Sequence, residues 1–184
     1  MKILMTHNEI NLFKSYLEKT TNYFEFGGGG STVLANSYSN IQKIIAIDSN
    51  IDWINKIKNN LNTNKIGFCY IDVNAPRNSG YPKDESKKEN WELYSNSISN
   101  YNKNNFDLIL VDGRFRVACA IKSYLHMNDT NILLVHDYNR THYRDIEKLF
   151  VKISSIGTLT AFSKKSSDII LINELYQKYK FDPR

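Results

Sequence analysis

Four acidic residues and one histidine stand at the ends of short apolar runs in the sequence. In chain order they are Asp48, Asp72, Asp112, His136 and Asp137. A carboxylate accepts hydrogen bonds from sugar hydroxyls and amino groups, and a histidine or a carboxylate can take a proton from a reacting hydroxyl. These residue types therefore indicate a site that binds a hydroxyl-rich ligand and transfers a proton.

A run of four glycines, Gly27 to Gly30, precedes these acids and is followed by Ser31 and Thr32. In a doubly wound sheet, a glycine turn between the first strand and the first helix lets a ligand approach the backbone closely. Asp48 lies twenty-one positions after Gly27, a spacing at which an acid accepts hydrogen bonds from both ribose hydroxyls. Asp72 is placed to receive an adenine amino group. Together these residues predict a nucleotide-like cofactor.

The elements that would position these residues alternate between strands and helices. Uninterrupted apolar runs suit strands that are buried on both faces of a parallel sheet. Such strands are predicted at 22–26, 43–48, 66–72, 106–113 and 131–138. Helices are predicted at 6–19 (with a capping box of Thr6 and Glu9), 31–38, 50–61, 116–127 and 144–153. An antiparallel hairpin with its turn at Lys165–Ser167 is predicted from the strand-like runs at 157–164 and 167–173.

The length of 184 residues and the hydrophobic content of 41% fit one globular domain over residues 1–184. A polar segment at about 74–105 is predicted to be an insertion that covers the substrate, because long connections in compact domains are commonly functional. Its Trp91 and Tyr94 suit stacking on a sugar ring, and they suit packing of the insertion on the core equally well.

Several classes of function are disfavoured by the composition. The apolar runs are too short to cross a bilayer and no secretory signal is evident, so we expect a cytoplasmic protein. The formal net charge of +5 comes from scattered lysines without a basic aromatic stripe, which disfavours nucleic acid as a partner. Cys69 and Cys119 lie far apart in apolar runs and are expected to be buried thiols.

The glycine pattern discriminates between cofactors. The dinucleotide fingerprint G-x-G-x-x-G/A would place its last position at Thr32 or Val33, and neither is the required glycine or alanine. No Gly-Lys-Ser/Thr follows the glycines, as a P-loop needs. The pattern E-x-G-x-G is present from Glu25 to Gly29. With the acids after the second and third strands, it resembles the S-adenosylmethionine site of class I methyltransferases.

The resemblance extends over nearly the whole chain, from about Glu9 to Asn173. Small single-domain methyltransferase-like proteins of bacteria and large DNA viruses have segments similar to FEFGGGGST, YPKDES, FDLILVDGRFRVACAIKSYL and ILLVHDYNRTHY. The resemblance implies a Rossmann-like, doubly wound α/β fold with helices on both faces of a seven-stranded, mostly parallel sheet whose last strand is antiparallel. For a viral protein, the host cytoplasm would be the location.

The same resemblance implies S-adenosyl-L-methionine as cofactor and S-adenosyl-L-homocysteine as product. The glycine loop would line the methionine and ribose side, Asp48 the ribose and Asp72 the adenine. The implied cofactor-binding residues are Glu25, Gly27, Gly28, Gly29, Ser31, Thr32, Asp48, Ser49, Asp72, Val73 and Asp112.

Methyl transfer is an in-line displacement, so the protein must align a nucleophile, exclude water and remove a proton from a hydroxyl. The predicted catalytic residues follow the fourth and fifth strands and are Asp112, Arg114, His136 and Asp137. Adjacent strand residues point to opposite faces, so one residue of the His136–Asp137 pair is expected to face the methyl group. The sequence favours Asp137, with His136 close behind it.

The acceptor is expected to be a sugar hydroxyl on a small molecule or glycan, bound by a monomer or homodimer. The predicted substrate-binding residues are Tyr81, Trp91, Tyr94, Arg114, Arg140 and His142. Catechol-type O-methyltransferases hold a divalent cation with an Asp-Asn pair after the fifth strand, where this chain has Asp137 and Tyr138. The sequence therefore predicts no metal ion. The alternatives are a non-catalytic S-adenosylmethionine-binding or scaffold protein and a dinucleotide-binding oxidoreductase.

Overall fold

A computed structural model describes residues 1–61, 64–76 and 80–184 of the chain. Within those ranges, a sheet of seven strands forms the centre of the molecule. The strands are β1 (Asn22–Phe26), β2 (Lys43–Asp48), β3 (Ile66–Tyr70), β4 (Leu108–Val111), β5 (Ile132–Val135), β6 (Phe150–Ile156) and β7 (Leu159–Lys164). Their order is β3-β2-β1-β4-β5-β7-β6. The strands β1 to β5 are parallel, and β7 is antiparallel to both of its neighbours. The predicted Rossmann-like fold with an antiparallel last strand is confirmed.

Helices cover both faces of this sheet. They are α1 (His7–Leu17), α2 (Gly30–Asn36), α3 (Ile51–Lys58), α4 (Trp91–Asn96), α5 (Arg116–His126) and α6 (Ile169–Tyr179). Short 3-10 segments span Glu85–Asn90, Ser97–Asn100 and Thr141–Lys148. Tyr23 of β1 packs in a hydrophobic cluster with α1 and α2, whereas the adjacent Phe24 packs in a cluster with α4, α5 and α6. Buried residues on both faces explain why the parallel strands read as continuous apolar runs.

The register of the parallel strands brings their carboxyl ends to one edge. Phe26 is paired with Ile47 and with Val111, and Val111 is paired with Val135. The strand order reverses between β1 and β4, and in sheets of this type the crevice at such a point binds ligands. The residues that follow the paired positions and meet there are Gly27, Asp48, Asp112 and His136.

The helix predicted at 6–19 is confirmed as α1. The Thr6 side chain accepts a hydrogen bond from the Glu9 amide, and the Glu9 carboxylate accepts one from the Thr6 amide, so the predicted capping box is present. This reciprocal pair satisfies two backbone donors that would otherwise lack a partner at the helix start.

The closing hairpin lies earlier in the chain than predicted. The sequence predicts a helix over 144–153, but a 3-10 segment ends at Lys148 and β6 begins at Phe150. The second half of that helix prediction was therefore wrong. The predicted turn at Lys165–Ser167 was also wrong, because the chain reverses at Gly157, whose φ of +58° favours glycine.

The run at 167–173, predicted as a strand, is the start of α6. The Asp168 side chain caps this helix by accepting a hydrogen bond of 2.9 Å from the Ile170 amide. The buried residues of α6 recur at helical spacing and are Ile172, Leu175, Tyr176 and Tyr179. The helical period becomes visible only when the residues after Asn173 are included, so the run at 167–173, taken alone, was misassigned as a strand.

The segment predicted as a substrate cover contains α4 and the two 3-10 segments that flank it; its residues 77–79 lie outside the described ranges. Trp91 and Tyr94 are buried, and their rings lie 5.6 Å from the ring of Phe115. The second half of the segment is thus packed on the sheet through α5. In the described part of the chain, no helix has both the length and the apolarity to cross a membrane. Cys69 is half-buried, Cys119 is buried, and neither forms a disulfide.

Candidate functional site

A cavity of about 950 Å³ lies over the carboxyl ends of the central strands. Its walls come from the glycine loop, the residues after β2 and β4, the end of β5 and the first residues of the chain. The lining residues are Lys2, Ile3, Leu4, Gly27, Gly28, Gly29, Gly30, Ser31, Asp48, Ser49, Asn50, Asp52, Trp53, Lys56, Gly80, Tyr94, Asp112, Gly113, Arg114, Arg116, His136 and Asp137. The residues that the register brings to the sheet edge therefore share one cavity.

Two of the four glycines are required by contacts within the protein itself. Gly27 has a φ of +94°, and a Cβ there would lie 2.6 Å from the Cα of Gly113. A Cβ on Gly30 would lie 2.5 Å from the Cα of Ile3, because the start of the chain crosses the loop at this point. Backbone segments thus press on the loop from two sides, which accounts for glycine at these two positions without any ligand.

The other two glycines face less crowded space. A Cβ on Gly29 would have Trp53 as its nearest neighbour, at 3.8 Å, and the φ of 177° at this residue is open to any residue type. The carbonyl of Gly28 accepts a hydrogen bond of 2.7 Å from the indole nitrogen of Trp53. Trp53 therefore holds the loop from the side of α3. Trp53 was not among the predicted site residues, although its position five residues after Asp48 is visible in the sequence.

Glu25 lies beneath the glycine loop and not in the cavity lining. Its fully buried carboxylate accepts hydrogen bonds from the hydroxyls of Tyr23 (2.9 Å), Ser31 (2.6 Å) and Thr32. The Thr32 hydroxyl also accepts a hydrogen bond of 2.8 Å from the amide of Gly29. Burial raises the pKa of Glu25 to about 7 against the opposing effect of these hydroxyls. Glu25 and Thr32 thus fix the loop from below, while Ser31 also reaches the cavity.

Asp48 lines the cavity at the end of β2. Its carboxylate accepts a hydrogen bond of 2.8 Å from the amide of Asn50, and the residue is 9% exposed. Burial raises the pKa of Asp48 to about 6, and the backbone hydrogen bonds it accepts oppose this rise. An ionised carboxylate at this position presents acceptor capacity to a ligand, as the sequence analysis expects for a ribose.

The next predicted pair, Asp72 and Val73, lies outside the cavity lining. The Asp72 carboxylate is 42% exposed, accepts a hydrogen bond of 3.0 Å from the Asn74 amide and lies 3.6 Å from the Lys87 ammonium. Val73 is fully buried in the hydrophobic core. β3 ends at Tyr70, two residues before Asp72, so the predicted strand was too long at this end. The adenine contact of Asp72 stays a prediction.

The ends of β4 and β5 are joined by a network of charged side chains. The Nδ1 atom of His136 donates a hydrogen bond of 2.9 Å to Asp112 Oδ1. The guanidinium of Arg116, which is 5% exposed, lies 3.3 Å from carboxylate oxygens of both Asp112 and Asp137. It also donates hydrogen bonds to the carbonyls of Gly113 and His136. Arg116 is therefore a buried connector between the two strand ends.

His136 is the cavity-lining imidazole of this network. Burial lowers its pKa, but the hydrogen bond to Asp112 and the negative charges of Asp112 and Asp137 outweigh burial and the charge of Arg116. The net result is a pKa above the ordinary value of 6.5. A histidine whose Nδ1 is bound to a carboxylate has a defined tautomer, with Nε2 available to accept a proton.

The neighbouring Asp137 has a different environment. Its Oδ2 atom accepts a hydrogen bond of 2.6 Å from Arg140 and lies 3.3 Å from Arg116. Its backbone φ is +57°, an unusual conformation for a residue other than glycine. The Asp137 carboxylate thus faces the cavity while two guanidinium groups bind it.

Arg114 lines the cavity beside the start of the substrate-cover segment. Its guanidinium carbon lies 5.2 Å from the ring centroid of Tyr81. The carbonyl of the preceding residue, Gly80, accepts a hydrogen bond of 3.1 Å from the Ser49 hydroxyl. Residues 80 and 81 are thereby held against the cavity wall that Ser49 and Arg114 form.

The remaining predicted substrate-binding residues are divided between the cavity and the core. Tyr94 lines the cavity, with its hydroxyl against Gly113. Trp91 is buried. Arg140 and His142 lie outside the cavity lining, at and within the start of the 3-10 segment that follows β5. The ring of His142 lies 4.3 Å from the ring of Tyr143. The structure thus brings Tyr94 and Arg114 to the cavity, with Tyr81 stacked on Arg114.

Two contributions from the N-terminal part of the chain were missed. Residues 2–4 line the cavity, and the Glu9 carboxylate lies 3.9 Å from Nε2 of His136. The Glu9 carboxylate accepts hydrogen bonds from the amide (2.6 Å) and the hydroxyl (2.8 Å) of Thr158. The sequence showed Glu9 only as part of a capping box, because a contact between residues 149 positions apart leaves no local pattern.

The described residues contain no group of three or more His, Cys, Asp or Glu side chains arranged to hold a metal ion. The metal-free reaction stays a prediction. Asp112 and Asp137 are each engaged by Arg116.

No protein-family model matches the sequence, and no curated protein matches it. Among solved structures, a methyltransferase-like protein from Silicibacter pomeroyi is similar with a TM-score of 0.85 and 22% identity, over 99% of this chain and 98% of that one. The N-methyltransferase NodS from Bradyrhizobium japonicum, in complex with S-adenosyl-L-homocysteine, has a TM-score of 0.55 and 11% identity over 86% of each chain. The MycE methyltransferase of mycinamycin biosynthesis, in complex with Mg and S-adenosylhomocysteine, has a TM-score of 0.55 and 12% identity, over 89% of this chain and 51% of that one. These likenesses show that the chain has a class I methyltransferase fold.

Proposed function

We propose that the protein is an S-adenosylmethionine-dependent methyltransferase that methylates a hydroxyl of a sugar or glycan. The observation that carries this proposal is the convergence of the glycine loop, Asp48 and the Asp112–His136 pair on one cavity. Ligand-binding and proton-accepting groups thus line one shared cavity. The methyltransferase fold and the S-adenosylhomocysteine bound to two structures that share it support the same reading.

The residues present fit this cofactor. The cavity volume of about 950 Å³ lies within the range of about 300–1,000 Å³ that is common for small-molecule sites. Asp48 offers a carboxylate for the ribose hydroxyls, and the main chain of Gly28 and Gly29 offers a surface without side chains. When bound, S-adenosylmethionine supplies an electrophilic methyl group on a cationic sulfur. The carboxylates of Asp112 and Asp137 also line the cavity, each paired with Arg116.

His136 is the residue we assign to proton removal. A sugar hydroxyl is a poor nucleophile, and a positioned base typically contributes ~10²–10⁴ in rate. Asp137, which the sequence favoured, has its Oδ2 atom engaged by the guanidinium groups of both Arg116 and Arg140. His136 has Nδ1 on Asp112 and a pKa raised above 6.5, both of which suit a base with a fixed orientation.

The assignment of the acceptor as a sugar rests on Tyr81, which adjoins the cavity-lining residues Gly80 and Arg114. Tyr81 is 40% exposed beside Arg114, and a flat aromatic ring suits the apolar face of a pyranose. Polar and charged side chains of the cavity can bind the hydroxyls.

The test is incubation of the protein with labelled S-adenosylmethionine and a panel of sugars, nucleotide-sugars and oligosaccharides, with and without EDTA. We expect label on a sugar hydroxyl in both conditions. Activity that EDTA abolishes and Mg²⁺ restores would overturn the metal-free reaction. Label on protein or RNA but on no glycan would overturn the acceptor. If no acceptor is labelled, calorimetry with S-adenosylhomocysteine distinguishes two explanations. Binding without turnover favours a non-catalytic role. No binding by the folded protein would overturn the methyltransferase assignment.

A further inference from the structure

The arginines around the cavity differ in how their charges are compensated. Arg116 is almost fully buried and is bound by Asp112, Asp137 and two backbone carbonyls. Arg140 donates a hydrogen bond of 2.6 Å to Asp137. Their donors are directed to groups of the protein, so these two residues have a structural explanation that needs no ligand.

Arg114 is compensated less directly: burial raises the pKa of Asp48, and the charge of Arg114 is among the influences that oppose this rise, but the guanidinium is not bound by that carboxylate. Within residues 1–61, 64–76 and 80–184, its guanidinium makes no hydrogen bond and has no carboxylate within 4.0 Å. Its guanidinium lies over the ring of Tyr81, with 5.2 Å between the guanidinium carbon and the ring centroid. Stacking uses the flat face of a guanidinium and leaves the N–H edge directed outwards. A half-buried arginine held in this way presents up to five donors to the cavity.

We infer that the acceptor carries a negatively charged group, a carboxylate or a phosphate, which Arg114 binds through its N–H edge with Tyr81 behind it. This inference rests on the proposed function, because it concerns the acceptor of that reaction. A planar guanidinium matches both anions with paired hydrogen bonds. The candidate acceptors are therefore acidic sugars and sugars linked to a phosphate.

The position of Arg114 argues against a role on the cofactor itself. The one negative group of S-adenosylmethionine is its methionine carboxylate, at the end remote from the adenosine. Arg114 lies at the Ser49 side: a Cβ on Gly80 would be 3.4 Å from both the Arg114 Nε and the Ser49 hydroxyl. Ser49 directly follows Asp48, the residue assigned to the ribose. The anion that Arg114 suits is therefore not the carboxylate of the cofactor.

The experiment uses the full chain labelled with ¹⁵N and follows the Nε–Hε signal of Arg114 during titration in the presence of S-adenosylhomocysteine. The probes are inorganic pyrophosphate for a phosphate-linked sugar, D-glucuronate for an acidic sugar and D-glucose as a neutral control. We expect at least one anion, and not glucose, to shift the Arg114 signal with saturation. Arg114→Ala should weaken that anion tenfold or more and leave the affinity for S-adenosylhomocysteine within a factor of two or three.

The matched control is Arg144→Ala, which removes an arginine stacked on Tyr138 at 5.5 Å and outside the cavity lining. We expect it to leave both affinities unchanged. Arg114→Lys, which keeps the charge but loses the fork, should fall between the wild type and Arg114→Ala. The inference is overturned if neither anion binds, if Arg114→Ala binds the anion as tightly as the wild type, or if it loses cofactor affinity to the same degree. If the protein binds the anion but not S-adenosylhomocysteine, the anion site is supported and the proposed function is contradicted.

Discussion

The Nε2 atom of His136 lies 3.9 Å from Oε2 of Glu9, on the opposite side of the ring from Asp112. The two nitrogens of one imidazole thus face two carboxylates, one from the end of β4 and one from the first turn of α1. Hydrogen bonds from Thr6 and Thr158 hold Glu9 in place and lower its pKa to about 2 against the effect of burial. Glu9 is therefore a permanent negative charge beside the atom that we expect to take the proton.

Replacement of Glu9 by glutamine is expected to lower the pKa of His136. The groups that face this imidazole are Glu9, Asp112, Asp137 and Arg116, and the change removes one negative charge that favours the imidazolium. A carboxylate within about 4–6 Å commonly shifts a pKa by about one unit or more. The measurement is an NMR titration of the His136 ring signals in the wild type and in Glu9→Gln.

The matched control for this change is Glu18→Gln, which removes an exposed charge at the other end of α1. It should leave the His136 titration unchanged. A base must be neutral to accept a proton, so methyl transfer should be lost as the pH falls through the His136 pKa, and Glu9→Gln should move that loss to lower pH. An unchanged titration in Glu9→Gln would show that Glu9 does not act on His136.

Asp48→Asn is expected to weaken S-adenosylhomocysteine binding by roughly 10- to 100-fold, because a hydrogen bond to a charged group contributes ~1.5–3 kcal/mol. The folded-state pKa of Asp48 is about 6, so the wild type should also lose affinity as the pH falls through this value. Isothermal titration calorimetry at pH 5 and pH 8 measures both effects. Asp129→Asn, at an exposed loop position, is the control. Equal affinity of wild type and Asp48→Asn at pH 8 would contradict the ribose assignment.

Gly30→Ala and Gly29→Ala compare a crowded position of the glycine loop with an open one. A Cβ at Gly30 would meet the backbone of Ile3 at 2.5 Å, whereas at Gly29 the nearest atom would be 3.8 Å away. We expect Gly30→Ala to lower the free energy of unfolding by ~1–3 kcal/mol through overpacking and to displace residues 2–4. Gly29→Ala should change stability little. Chemical denaturation and amide exchange of the first residues test this; equal stability of the two variants would refute it.

Glu25 should make the stability of the protein depend on pH. Its folded-state pKa of about 7 exceeds the ordinary 4.5, so between these values the folded protein binds more protons than the unfolded chain. The free energy of unfolding that this group contributes therefore falls as the pH rises from about 4.5 to 7. At about 1.4 kcal/mol per pKa unit, the fall amounts to roughly 3 kcal/mol. Urea unfolding across this range should show a smaller decline in Glu25→Gln. The same decline in both proteins would assign the effect to other groups.

The parallel part of the sheet could be predicted from the sequence because β1, β2, β4 and β5 are buried over most of their length, and the half-buried edge strand β3 still has an apolar run. The hairpin could not. β6 is an edge strand, and its residues from Val151 to Ile156 are exposed or half-exposed, so it lacks the apolar run that marked the other strands. The start of α6 has an apolar run of strand length, at 169–172, and was misassigned for that reason.

The part of the candidate site that the pairing register of the strands determines could be predicted from the sequence. Gly27, Asp48 and Asp112 follow strands whose pairing places them together. The covering groups come from elsewhere in the chain: Ile3 crosses the glycine loop, and Glu9 reaches Thr158. Such contacts depend on how helices and turns pack on the sheet, and no local sequence pattern encodes that packing.

The hairpin of β6 and β7 has consequences for the order in which the chain folds. Its two strands pair through nearby residues, whereas β7 must also dock on β5, and the Thr158 turn must reach Glu9 across 149 positions. Non-local pairings of this kind form slowly, since the entropy of closing a long loop is lost before the contacts form. The Glu9 carboxylate beside Nε2 of His136 is therefore fixed late. In refolding experiments, the titration of His136 should reach its native value with the slowest phase and not with the initial collapse.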